Sequence, residues 1–443
     1  MKKFKALRGL KDLLPEDVEK LNYVKSIIRE LFRIYGYKEV MTPTLEAYTL
    51  LEAKAGEELR HRMYVFTDLG KRKVALRPEM TPSIARFYIN HLLQKPKPIR
   101  LGYIANCFRY DEPQYGRYRE FWQGGFELIG SSNPEADVEI LSIASALMKR
   151  LGFTNYFLKV NHIGILREIL TSENVSEKIQ NVIFGLFDKM LYDEAVKLLK
   201  SINVSENCIN TIIELTNLKG GVSDTSIKNA EEIISSKYSQ ALKALSNLKS
   251  IIELIRLSEI NIPITLDFGF ARGLEYYTGI IFECFTQKFK LALGGGGRYD
   301  NLIEIFNGPS TPAVGYAPGI SRIVLAIEEE KITIPKKVEK RIIVIPVSRN
   351  VVYYTVKIAS KLRDLNIPVE VEVLGRGVKK ALSYASSFKF DYAIIVGETE
   401  IRESKVTLKD LNQGKQYLFE LNDAINFISE EIVKGEKFNE RRT

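Results

Sequence analysis

Apolar residues at Val18, Leu21, Val24, Ile27, Ile28 and Leu31 recur every three or four positions along residues 15–35. That period predicts a helix with one apolar face. Pro15 suits its first turn and Gly36 its end. YKEVMTPTLE then reads as a strand broken at Pro43. MYVFTDL and KVALRP alternate as a hairpin with Gly70 in the turn. Thr81 and Pro82 form a start signal for the helix PSIARFYINHLL, with Thr81 as N-cap. A ligand contact by Thr81 is the competing role. Glu79 lies just before this start, outside the apolar pattern, which favours a functional role.

IRLGYIANCFRY and EFWQGGFELIG read as two strands joined by the charged loop DEPQYGRYRE. Strand side chains alternate, so Arg109 and Phe108 point to opposite faces. On the return strand Phe121, Gln123, Gly125 and Glu127 share one face, and Trp122, Phe126 and Leu128 take the other. The missing side chain at Gly125 leaves floor space for a small ligand between two polar groups. Arg117 and Arg119 in the loop suit bidentate grip of phosphates or carboxylates. A solvated hairpin with a charged tip is the plain alternative.

PEADVEILSIASALMKRLG then reads as an amphipathic helix and NYFLKVNH as a strand. From about Ile165 to Asn261 helical periods dominate, and strand signals return only at ITLDFGFARG. Residues 264–286 read as two strands around a tight turn containing Arg272 and Gly273. KLALGGGGRYDNLIEIF follows as strand, glycine loop and helix. Gly294–Gly297 suit either an anion-binding nest or a strand end packed close against a ligand. PAVGYAPGISRIVLAIEEE reads as strand, turn and helix, with Arg322 near a helix start, where backbone N–H groups favour anions. The charged run Lys336–Lys340 marks a boundary. Beyond it RIIVIPVS, PVEVEVL and DYAIIVG alternate with helices, which implies parallel strands covered on both faces.

Composition narrows the partners. The 443 residues suffice for two or three domains. Lys and Arg number 64 against 55 Asp and Glu, a net charge of +9 that favours a polyanionic partner. Cys107, Cys208 and Cys284 are far apart, with no zinc spacing, which fits a reduced compartment. No run has the length and apolarity of a membrane span or the core of a signal peptide. No GxxxxGK[ST] loop occurs, so phosphate binding would fall to side chains.

RPEMT, FRYDEPQYGRYREF, RGLEYYTG, GGGGRYD and PAVGYAPGISR, in this order, resemble the class II aminoacyl-tRNA synthetases, and among them the histidyl-tRNA synthetase family. The resemblance runs from about Phe4 to the C-terminus and is weak in the middle. It implies an α+β catalytic domain with a mostly antiparallel sheet, a helical insertion and a C-terminal α/β domain. The catalytic domain would comprise 1–164 and 262–335. The insertion at 165–261 would help hold the tRNA acceptor arm, and 341–443 would bind the anticodon. The helix over 15–35 would lie at a homodimer interface, although an ordinary core helix has the same pattern.

The reaction so implied joins the histidine carboxylate to ATP and passes the product to tRNA(His). It gathers negative charge, which arginines suit. By resemblance Arg109, Arg272 and Arg322 are catalytic. Arg109 holds the α-phosphate, Arg272 the carboxylate and α-phosphate, and Arg322 the γ-phosphate. Asp111, Arg117, Tyr118 and Phe121 surround the nucleotide. Glu79, Thr81 and Gln123 take the α-amino group. Glu127, Tyr276, Tyr277 and Tyr299 line the histidine pocket; a neutral imidazole offers one donor and one acceptor. ATP is a substrate, magnesium comes with it, and no protein-bound metal or membrane is expected; the location is the cytoplasm.

Five positions depart from the family pattern. Asp111 stands for the usual glutamate, and Glu112 for an arginine that faces the acceptor end. Trp122 replaces histidine, Glu275 aspartate and Ser321 glutamate. Two other readings fit parts of the pattern. One is a catalytically inactive regulatory subunit of ATP phosphoribosyltransferase. Such relatives lack the terminal domain and degrade RGLEYYTG and GGRYD, both intact here. The other is a sister synthetase for a different amino acid.

Overall fold

The apolar stripe over residues 15–35 forms α1 (Pro15–Tyr35) in a computed structural model. The model describes residues 4–53, 55–222, 224–234, 236–272, 274–335 and 340–440. Gly273 and residues 336–339 of the charged boundary lie outside that set. Asp17 accepts from the Leu14 N–H at 3.3 Å at the start of α1. Gly36 ends the helix at φ 74°, a left-handed conformation that glycine adopts at little cost. Leu21, Val24, Ile28, Leu31 and Phe32 are buried. Each such side chain stabilises by about 1.5–3 kcal/mol when removed from water.

β1 (Lys38–Glu39) and β2 (Leu45–Ala47) follow, split around Pro43, then α2 (Tyr48–Glu52) and α3 (Glu57–His61). β3 (Val65–Thr67) and β4 (Lys73–Leu76) make the hairpin, and α4 (Thr81–His91) comes next. β5 (Ile99–Phe108) and β6 (Glu120–Ile129) are the long pair, followed by α5 (Pro134–Arg150) and β7 (Tyr156–His162). The helical stretch holds α6 (Ile163–Ser172), α7 (Glu177–Asp188), α8 (Tyr192–Ser201) and α9 (Glu206–Asn217). β8 (Lys219–Gly221), α10 (Asp224–Ile234) and α11 (Ser239–Leu257) complete it. Then come β9 (Ile264–Asp267), β10 (Ile280–Thr286), β11 (Gly294–Arg298), α12 (Leu302–Ile305), β12 (Ala313–Pro318) and α13 (Ile320–Glu330).

Nine of these strands form one sheet in the order β1-β5-β6-β12-β11-β10-β7-β9-β8. β1 with β5 and β7 with β9 are parallel. The other neighbours are antiparallel, so the sheet is mostly antiparallel, as the resemblance implies. The described residues up to Ile334 form one compact unit, with α11 packed on α5 and α6.

Three local expectations fail. β8 interrupts the supposedly strand-free region; its Lys-Gly-Gly has no strand signal and pairs with β9 through backbone and one ion pair, Lys219 Nζ to Asp267 Oδ2 at 3.4 Å. β9 and β10 are not joined by a tight turn, because β7 lies between them in the sheet. The four glycines are neither nest nor loop, which leaves the strand alternative. They form β11, paired on both sides with β10 and β12.

The described residues from Lys340 on form a second compact unit. It comprises β13 (Ile342–Pro346), α14 (Val352–Asp364), β14 (Val369–Val371), α15 (Val378–Ser387) and β15 (Tyr392–Val396). α16 (Glu398–Arg402), β16 (Lys405–Asp410), β17 (Gln416–Glu420) and α17 (Leu421–Glu440) follow. β13 pairs in parallel with β14 and β15, and β16 and β17 add antiparallel strands. Ile342 and Val344 pack with Ile358 and Ile425 on one face, Ile343 and Ile345 with Ala381 and Ala385 on the other. Helices therefore cover both faces.

Candidate active site

Tyr103 on β5 lies opposite Gly125 on β6. The space expected over Gly125 is taken, since a Cβ there would lie 1.9 Å from the Tyr103 ring. The glycine thus admits a tyrosine, not a ligand. The Tyr103 hydroxyl is buried and has no hydrogen-bond partner. Two residues along the same face stands Glu127, 1 % exposed. Its carboxylate lies over Gly315 of β12, where a Cβ would come within 1.8 Å of Oε2.

Thr81 Oγ1 donates to Glu127 Oε1 at 2.9 Å, and the Tyr299 hydroxyl donates to Oε2. Thr81 is no N-cap, because Met80 holds that position and no side chain caps the helix. The Thr81 hydroxyl instead donates its proton to the buried carboxylate, a charge-assisted bond. Burial pushes the Glu127 carboxyl up to about 7, against the pull of Tyr299 and Thr81 and with a further push from Glu79. Glu79 accepts from the Tyr276 hydroxyl at 2.8 Å, and burial raises its carboxyl too, opposed by Arg109. The Tyr276 ring lies 4.9 Å from Tyr277 and 5.9 Å from Tyr299. Glu79, Thr81, Gln123, Glu127, Tyr276, Tyr277 and Tyr299 line a cavity of about 50 Å³.

A second cavity of about 120 Å³ adjoins it, lined by Arg109, Asp111, Arg117, Tyr118, Phe121 and Arg322. Arg109 and Arg272 line both. Arg109 follows the end of β5; its Nε donates to Pro78 O at 2.9 Å, and its guanidinium lies 5.2 Å from the Phe121 ring centre. Arg322, in the first turn of α13, donates to Gly116 O and Ala292 O, each at 3.0 Å. Burial lowers its pKa to about 10, and the Arg109 and Arg117 charges add to the fall. Arg272 lies against β11: a Cβ on Gly295 would lie 2.2 Å from its Nη1. Its Nε is 3.8 Å from Glu283 Oε1. Cations crowded in this way favour an anion in the space between them.

Every residue given a site role by the resemblance thus lines one of two adjoining cavities. Arg119, read in the sequence as an anion grip, lines neither; it donates to Asp111 O and Arg8 O, each at 3.2 Å. Two further residues were missed. Glu283 pairs with Arg272; its signal was a lone acid in the apolar strand IIFECF. Tyr103 alternates onto the face of Glu127. Gly295, one of the glycines singled out in the sequence, gives Arg272 its place.

The departures have partners. Ser321 Oγ accepts from the Trp122 N–H at 2.9 Å, so these two altered positions are neighbours. Glu112 pairs with Arg8 at 3.3 Å on the exposed surface. Asp111 is 3.2 Å from Arg62, and Glu275 is 3.7 Å from Arg60. A larger cleft of about 1180 Å³ meets the first cavity at Arg272 and Tyr277, between α3 and α7, with Arg60, Arg167 and Lys178 in its wall. Among the described residues no three His, Cys, Asp or Glu side chains cluster as a metal cage, and no helix is long and apolar enough to cross a membrane.

The profile of the histidyl-tRNA synthetase family matches residues 9–323, and that of an anticodon binding domain residues 341–431. The histidine–tRNA ligase of Methanocaldococcus jannaschii is 43 % identical over 426 residues, covering 96 % of this chain and 99 % of its own. That of Pyrococcus furiosus is 38 % identical, covering 95 % and 98 %. The crystal structure of apo S. aureus histidyl-tRNA synthetase is 27 % identical, with a TM-score of 0.69 over 96 % of this chain and 100 % of that one. A Bacillus halodurans structure described as an ATP phosphoribosyltransferase regulatory subunit/histidyl-tRNA synthetase has a TM-score of 0.75. It covers 90 % of this chain and 99 % of its own; at 24 % identity it shows the fold alone. On the profile and these full-length relatives, the chain belongs to the histidyl-tRNA synthetase family.

Proposed function

We propose that the two cavities bind histidine and ATP side by side, and that Arg109 and Arg272 in their shared wall bring the reacting groups together. The chain is an aminoacyl-tRNA ligase, and its overall reaction is ATP-dependent ligation of histidine to tRNA. The observation that carries the site is the convergence of Arg109, Arg117, Arg272 and Arg322 beside the Thr81–Glu127–Tyr299 hydrogen bonds.

Glu127 accepts from one imidazole nitrogen, and the Tyr277 hydroxyl donates to the other. Glu79, Thr81 and Gln123 hold the α-ammonium. Tyr276 keeps Glu79 oriented through its hydrogen bond. An apolar side chain of similar size would leave these buried groups unpaired, which such sites reject strongly. Arg109 and Arg272 grip the carboxylate and the α-phosphate. Arg322 takes the γ-phosphate, and Asp111, Arg117, Tyr118 and Phe121 surround the rest of the nucleotide. A carboxylate oxygen attacks the α-phosphorus, the bond to the bridging oxygen breaks, and pyrophosphate leaves. The arginines stabilise the charge that develops. Magnesium enters as part of the nucleotide substrate. The 3′-terminal ribose hydroxyl of tRNA(His) then attacks the acyl carbon and AMP leaves.

The 3′ end reaches the adenylate through the cleft between α3 and α7, so the helices of 165–261 hold the acceptor arm. The division into catalytic parts 1–164 and 262–335 follows. The anticodon profile over 341–431 supports tRNA binding by the second unit. A homodimer and a cytoplasmic location complete the proposal.

Pyrophosphate exchange with each of the twenty amino acids tests it. Exchange with histidine alone is expected. Exchange with none would favour the regulatory-subunit reading, and exchange with a different amino acid a sister specificity.

A further inference from the structure

Arg298 ends β11, one residue before Tyr299, and lines neither cavity. Its side chain is 6 % exposed, and that of Asp137 in the first turn of α5 is fully buried. Nε and Nη2 donate to the two Asp137 carboxylate oxygens at 2.9 and 3.0 Å. Nη1 donates to Ser131 O at 2.9 Å and to Asp300 Oδ1 at 3.1 Å, and Nη2 reaches Asn133 O at 3.4 Å. The fork therefore ties the exit of β6, the start of α5 and the end of β11.

The backbone extends the tie. The Thr278 N–H donates to Arg298 O at 2.8 Å, and the Asp300 N–H donates to Thr278 Oγ1 at 3.0 Å. Asp300 Oδ1 also accepts from the Ala313 N–H at 3.2 Å, and Tyr299 N–H donates to Ala313 O at 2.8 Å. Tyr277 precedes Thr278, Tyr299 follows Arg298, and Glu127 lies four residues before Ser131. Each side chain read as facing the imidazole is thus anchored within a few residues of this one guanidinium. A buried ion pair is a weak source of net stability, and well-packed apolar replacements are often neutral. Directional geometry is what it supplies.

We propose that the Arg298–Asp137 pair is a positioning clamp that holds Tyr277 and Tyr299 in register with Glu127. It sets affinity for the amino-acid side chain without touching it. The proposal rests on the reading of Glu127, Tyr277 and Tyr299 as the imidazole pocket.

The test uses the full chain, with pyrophosphate-exchange kinetics and thermal melts on Asp137→Asn and on the double variant Arg298→Met with Asp137→Leu. Both are expected to raise KM for histidine about tenfold or more, because small misplacements of binding groups are costly. KM for ATP should change less than about twofold. The double variant leaves no unpaired charge fully buried: Asp300 loses Arg298, but its side chain is 34 % exposed and keeps the Ala313 N–H, so the variant should melt close to the wild type. A double variant with wild-type KM for histidine would overturn the clamp, as would equal rises in both KM values. Glu127→Gln and Tyr299→Phe serve as controls. If they too leave KM for histidine unchanged, the pocket reading fails; if they raise it and the clamp variants do not, the clamp alone fails.

Discussion

Replacing Glu127 by Gln removes a buried charge and keeps the side chain's shape. Burial holds this carboxyl near 7 against an ordinary 4.5, at a position 1 % exposed. Each pKa unit corresponds to about 1.4 kcal/mol, so ionised Glu127 costs the folded state about 3 kcal/mol. The folded protein binds this proton more tightly than the unfolded chain. The penalty is therefore absent below about pH 4.5, grows as pH rises, and is complete above about pH 7. Asp137, raised to about 6 by burial against the pull of Arg298, follows the same trend, but it is present in both proteins and cancels. The bonds from Thr81 and Tyr299 are already contained in that net rise, and the neutral amide stands in for the protonated carboxyl. The Gln variant should be the more stable protein by about 3 kcal/mol near pH 8 and roughly equal near pH 4.5. Denaturant melts of both proteins across that range measure the difference. A difference independent of pH, or a less stable variant near pH 8, would refute the reasoning. Losing the charge-assisted bond to imidazole should also raise KM for histidine roughly 5- to 30-fold and leave KM for ATP alone.

Other expectations are independent of that one. Arg272→His should cut adenylate formation by about 10²–10³-fold with little change in melting temperature, since the lost backbone contact to Phe282 O is long at 3.4 Å; wild-type exchange would remove Arg272 from the site. Pyrophosphate should raise the melting temperature of the wild type by relieving the repulsion around Arg322. Arg322→Ala should lose most of that shift, and a retained shift would place the anion elsewhere. Tyr103→Phe should stabilise the ligand-free protein by about 1 kcal/mol, because its buried hydroxyl has no partner. A destabilised variant would mean that the hydroxyl is satisfied.

Local order was legible from the chain itself. The 3.6-residue period of α1, the alternation of Gln123, Glu127 and Trp122 on β6, and the β-α-β order after Lys340 depend on neighbouring residues only. The residues of the candidate site were legible as motifs. Their roles came with the family resemblance, since phosphate-binding arginines look like any charged turn when taken singly.

What tertiary structure decided is what two distant segments decide together. Four glycines carry no strand signal, yet they form β11 because β10 and β12 flank them and Arg272 needs the space above Gly295. Thr81 had the form of a cap until Glu127, brought in by β6, offered a buried carboxylate. Gly125 promised room for a ligand until Tyr103 arrived from the opposite strand. β9 and β10 seemed adjacent until β7 paired between them. Periodicity records which face a residue takes; long-range pairing and burial decide what that face meets.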